Sequence, residues 1–74
     1  MEKVATISQI KAGIKAGFLN DVYKQVRRYG VIKDTVNFQY HGKEALNIEI
    51  SYKELLFEFE LHNGEVVLAR YVIE

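Results

Sequence analysis

The chain is predicted to be an α+β domain, an N-terminal helical layer packed on one face of a four-stranded antiparallel meander sheet. Three observations carry this reading. Over the first thirty positions apolar residues recur at spacings of three or four. From Val31 onward the apolar period changes to two. Turn signals at His41-Gly42, Lys53-Glu54 and Asn63-Gly64 then divide the remainder into strands.

The helical stripe is Ile7, Ile10, Ile14, Phe18, Val22, Val26 and Tyr29, which is one helix face. Thr6 or Ser8 is a candidate N-cap, and Gly30 closes the pattern with Arg27 and Arg28 in the last turn. Gly13 and Gly17 each weaken a helix interior by about 1 kcal/mol relative to Ala. Asn20-Asp21 offers a fresh cap. The region 6–29 is therefore either one kinked helix or two helices broken near Gly17–Asn20, with the break favoured. Gly13 and Gly17 also form a G-x-x-x-G, which we read as close approach of the helix to the sheet.

Four strands are expected at 34–40, 44–52, 55–61 and 66–73. Asn63-Gly64 is the strongest turn signal, because both central residues of a type I′ turn need positive φ. Two-residue turns there and at Lys53-Glu54 pair Leu61 with Val66, Phe59 with Leu68, and Ile50 with Phe57. A three-residue loop at 41–43 sets Phe38 opposite Leu46. One face then holds Val36, Phe38, Leu46, Ile48, Ile50, Leu55, Phe57, Phe59, Leu61, Val66, Leu68 and Val72, and the helical stripe is its cover.

At 74 residues this is one domain, 1–74, with no cysteine to staple it; 49% hydrophobic residues must supply the core. The start MEKVATISQIKAG holds no apolar run long enough for a signal peptide or membrane span, so a cytoplasmic protein is expected. The charges are sorted. Residues 1–33 carry seven Lys/Arg against two acids, +5; residues 34–74 carry three against eight, −5. Such asymmetry points to charged partners.

On the sheet's other face the same register gathers Glu49, Glu58 and Glu60. Beside them strand four contributes Val67, Ala69, Tyr71 and Ile73, with Leu56 opposite Tyr71. An acidic patch next to an apolar stripe suits a basic protein surface. The apolar stripe on strand 66–73 also suggests a homodimer, which we favour over its burial under Met1–Ala5. A flat sheet face lacks the cleft that acid–base chemistry needs, so no enzyme is expected. No cofactor is implied. His41 and His62 fall at turns on one end of the sheet, but two histidines make a weak zinc candidate.

Gln9, Ala12, Gly13, Ala16, Gly17, Phe18, Tyr23 and Val26 resemble the spacing of a helix-turn-helix. The resemblance covers about twenty residues and implies a recognition helix at 20–29. Asn20 would cap it, and Lys24, Gln25, Arg27 and Arg28 would face nucleic acid. Gly13 stands where Ala is usual, and no third helix follows. The leading expectation is a small non-catalytic binding protein that occupies a basic protein surface. Phages and mobile elements encode inhibitors and adaptors of this type. The alternative is a DNA-binding regulator with a sheet dimerisation platform; zero net charge argues against it, since DNA binding is driven by phosphate neutralisation.

Overall fold

The computed structural model describes residues 5–74. Two helices, α1 (Ile7–Ala16) and α2 (Leu19–Tyr29), precede four strands: β1 (Val31–Tyr40), β2 (Lys43–Tyr52), β3 (Leu55–His62) and β4 (Glu65–Ile73). The strands form one antiparallel sheet in the order β1-β2-β3-β4, with α2 packed against it. This is the predicted α+β meander.

Local chemistry explains the helix ends. Thr6 caps α1 in a reciprocal capping box: its hydroxyl accepts from the Gln9 N–H at 3.2 Å, while the Gln9 side chain accepts from the Thr6 N–H at 2.9 Å. The break falls at Gly17, whose φ of 88° is left-handed. The Gly17 N–H reaches the Ile14 carbonyl and the Phe18 N–H reaches the Gly13 carbonyl, which together are a Schellman motif. Asn20 is not the cap of α2. It lies inside the helix, and its Oδ1 accepts from the Val66 N–H at 3.0 Å, tying α2 to the start of β4. Phe18, expected in the buried stripe, sits in the turn and is exposed. Gly13 does not approach the sheet; a Cβ there would lie 2.8 Å from a Val22 methyl, so it sets the spacing of α1 against α2.

The core joins Ile10, Val22, Tyr23 and Val26 of the helices to Ile48, Ile50, Tyr52, Leu55, Phe57, Phe59, Leu61 and Val66 of the sheet. Phe57 and Phe59 stack at 6.1 Å between centroids, and Tyr23 meets Phe59 edge-on at 5.1 Å.

Two parts of the expected register differ from the structure. The first hairpin closes through two residues, His41 (φ 51°) and Gly42 (φ 77°), so Tyr40 pairs with Lys43 and Phe38 with Ala45. Val36 and Phe38 therefore lie on the face away from the helices, and Thr35 and Asn37 take the places opposite Ile48 and Leu46. β1 also begins at Val31 rather than 34, because an irregularity between Ile32 and Asp34 interrupts the alternation. The second difference is a bulge at Val67: Leu61 pairs with Val66, but Glu60 pairs with Leu68 and Phe59 with Ala69. Beyond it every side chain of β4 changes face, so Leu68 and Val72 leave the expected core and are exposed.

The turn at Lys53-Glu54 is as expected, yet it holds two non-glycine residues at φ 48° and 67°. Such conformations cost a side chain on the order of 1 kcal/mol. Glu54→Gly should therefore stabilise the domain by about 1 kcal/mol, raising the melting temperature by about 4–8 °C. Thermal unfolding followed by circular dichroism checks this; an unchanged midpoint would show that the turn is unstrained.

Candidate binding face

The face of the sheet opposite the helices is built in rows across the strands. One row runs Phe38, Ala45, His62, Glu65; the next Val36, Asn47, Glu60, Leu68; the third Asp34, Glu49, Glu58, Arg70; the fourth Val31, Ser51, Leu56, Val72. The expected acidic triad is real as a cluster, since Glu49 and Glu58 are directly paired and Glu60 lies two residues along β3. Asp34 extends it on β1.

The apolar neighbours are not the expected ones. Ala69, Tyr71 and Ile73 fall on the helical side, paired with Phe59, Phe57 and Leu55. The Tyr71 ring lies 5.8 Å from Phe57, with the Lys11 ammonium of α1 at 5.3 Å from its centroid. Val67 occupies the bulge. Leu56 does remain on the acidic face, opposite Val72 rather than Tyr71. The apolar stripe that motivated a dimer through strand 66–73 is thus divided between the two faces, and the alternative cover Met1–Ala5 lies, but for Ala5, outside the described residues.

What borders the acids instead is Val36, Leu68 and Val72, all exposed. The one cation among the rows is Arg70. Its guanidinium bonds Glu58, and that hydrogen bond, with the charges of Glu58 and Glu60, raises its pKa further above the ordinary arginine value. Glu49, Leu56, Glu58, Arg70 and Val72 line a shallow depression of about 290 Å³. Arg70 was the missed signal. Without the bulge it would stand opposite Phe57, which is fully buried, placing a guanidinium in the core.

At the end of the sheet carrying the first and third turns, Phe38, Tyr40, His41 and His62 cluster. The Tyr40 ring lies 4.3 Å from His41 and 4.8 Å from His62, and Phe38 and His62 flank the buried Ala45. His62 Nε2 is 2.7 Å from a Glu60 oxygen. The two histidines are separated by an aromatic ring, and among the described residues no three potential metal ligands converge.

On the helical side Lys24, Arg27 and Arg28 are exposed on α2. Arg27 lies over the Tyr23 ring and Arg28 over Tyr29. Gln25 is half-buried, with its Nε2 shut off from solvent and without a hydrogen-bond partner, so it does not stand in line with the three cations. The phenol of Tyr52 is pushed above its usual pKa by burial.

No known protein family, curated protein or solved structure matches the chain. Among the described residues no helix is long and apolar enough to cross a membrane.

Proposed function

We propose that the chain is a non-catalytic binding domain that acts by occupying a basic surface of a protein partner, as an inhibitor or adaptor does, in the cytoplasm. The observation that carries this is the grouping of Asp34, Glu49, Glu58 and Glu60 on one sheet face, with Arg70 the one cation in their rows, bordered by exposed Val36, Leu68 and Val72. Charge of one sign steers a complementary partner, and the apolar border supplies contact area once water is displaced. Glu49, Glu58 and Glu60 are half-buried and Asp34 is exposed, so the acids stand open to a partner rather than enclosed in a cleft, which favours recognition over catalysis.

The variant Glu58→Lys/Glu60→Lys should slow association about tenfold or more at low salt, with the difference from wild type shrinking as salt rises. Neither position belongs to the core, so the melting temperature should change little. Partners are captured from the native host with each form, identified by mass spectrometry, and their binding rates measured. Equal recovery and equal rates would remove the sheet face as the site.

A second reading, nucleic acid against α2, draws on the exposed Lys24, Arg27 and Arg28. It predicts a mobility shift of duplex DNA at low salt.

A further inference from the structure

We propose that β1 is a self-pairing edge: two copies of the chain join β1 to β1 in antiparallel fashion, making one continuous eight-stranded sheet. The two edges of the four-stranded sheet are unequal. β4 is defended. It carries the Val67 bulge, it bears Arg70, and the Val66 N–H is already taken by Asn20 of α2. Bulges, charges and covering elements are the devices that keep an edge from pairing.

Among the described residues β1 has one of these along its second half, the Thr35 N–H taken by Asp34 Oδ1 at 2.9 Å. From Thr35 to Tyr40 its pairing with β2 is regular, and the run Thr-Val-Asn-Phe-Gln-Tyr contains no charge and no proline. Nine of its ten residues are exposed, and only Phe38 is half-buried. The irregularity and the charges Lys33 and Asp34 are confined to its beginning.

The register of such a pair follows from the first hairpin. A two-residue turn is closed by a hydrogen-bonded flanking pair, here Tyr40 and Lys43, so Tyr40, Phe38 and Val36 direct their backbone groups at β2. Thr35, Asn37 and Gln39 then direct theirs outward. With the two-fold axis at Asn37, Asn37 meets its own copy and Thr35 meets Gln39 on each side. The outward groups of Asn37, the Gln39 N–H and the Thr35 carbonyl find partners, about four backbone hydrogen bonds in all, while the Thr35 N–H keeps its bond to Asp34 Oδ1 at 2.9 Å.

Side chains agree with this register. Val36 faces Phe38 of the other copy on the side away from the helices, and Asp34 faces Tyr40. On the helical side the pairs are Thr35 with Gln39 and Asn37 with Asn37, all uncharged and able to hydrogen-bond. Both copies keep their faces, so the two acidic faces become one surface. A shift of the axis to Val36 preserves the faces but loses the Gln39 pairing and sets Asp34 against Phe38.

Sedimentation and amide exchange test the proposal on the whole chain. Wild type should sediment as a dimer at high micromolar concentration. Asn37→Lys, which places two ammonium groups together at the axis, should weaken the dimer at least about tenfold. Val67→Lys on the opposite edge should leave it unchanged. The amides of Asn37 and Gln39 should gain protection as protein concentration rises, whereas those of Val36 and Phe38, already bonded to β2, should not. That measurement needs no variant. A monomeric wild type, a dimer broken by Val67→Lys but not by Asn37→Lys, or exchange at 37 and 39 that ignores concentration would each overturn the proposal.

Discussion

Phe59→Ala should destabilise the domain by about 3–5 kcal/mol, the cost of emptying a fully buried aromatic site. A chain of 74 residues has on the order of 4–11 kcal/mol in total, so the loss is a large fraction of it. The ring is central because two others depend on it: Phe57 stacks on it and Tyr23 meets it edge-on. Removing it leaves a void bounded by β2, β3 and α2, and the meander cannot close that void without sliding the helix. The melting temperature should fall by at least about 12 °C. Leu68→Ala is the informative companion. Leu68 is 42% exposed, so its truncation should cost well under 1 kcal/mol. Equal losses at the two sites would mean that Phe59 and Leu68 pair directly and that the bulge does not exist.

Gly30→Ala should be nearly as damaging, for a different reason. Backbone angles of −93° and 179° suit any residue, so conformational preference does not require glycine here. Space does. A Cβ at this position would lie 2.6 Å from an Ile50 methyl, 2.7 Å from the Val26 carbonyl oxygen and 2.8 Å from that of Ser51. The Val26 oxygen accepts the Gly30 N–H at 2.7 Å and closes α2, while Ser51 lies in the β1–β2 ladder. Neither oxygen can retreat without giving up a hydrogen bond. The cost should reach about 3 kcal/mol, against a gain of at most about 1 kcal/mol from stiffening the unfolded chain. Denaturant unfolding checks it, and a stability equal to wild type would show that the chain at position 30 has room for a methyl group between Ile50 and the Val26 and Ser51 carbonyls.

Much of this architecture is legible in the residues alone. Periodicity located the helical region and all four strands, and the turn at Lys53-Glu54 set its register correctly, because Ile48, Ile50, Phe57 and Phe59 alternate cleanly with polar neighbours; the turn at Asn63-Gly64 set it only as far as Leu61 and Val66. The misplacements have one cause each. On β1 the alternation assigns Val36 and Phe38 to the helix-covered face, but the helices cover the other strands, and Val36 and Phe38 turn away from them. On β4 the run Glu65–Ile73 is apolar on both faces, so alternation carried no information about a one-residue bulge. The acidic triad was legible, since it depends only on β2 and β3. Its apolar border was not, because it depends on the two strands whose faces were exchanged. Gly30 ends α2 as its place in the pattern predicts, and it also packs closely against β2, which no local pattern announces.

β4 is a strand that could be threaded two ways. Slide the segment after Val66 by one residue and Leu68 and Val72 replace Ala69 and Tyr71 over the core, at little loss of hydrophobic content. The two threadings differ chiefly in the fate of Arg70, which the slide would carry from the water-facing side to a place against Phe57. A single guanidinium therefore separates the native arrangement from its nearest competitor. In the language of folding landscapes, the hydrophobic residues of this strand leave two neighbouring basins, and one charged side chain tilts the floor between them.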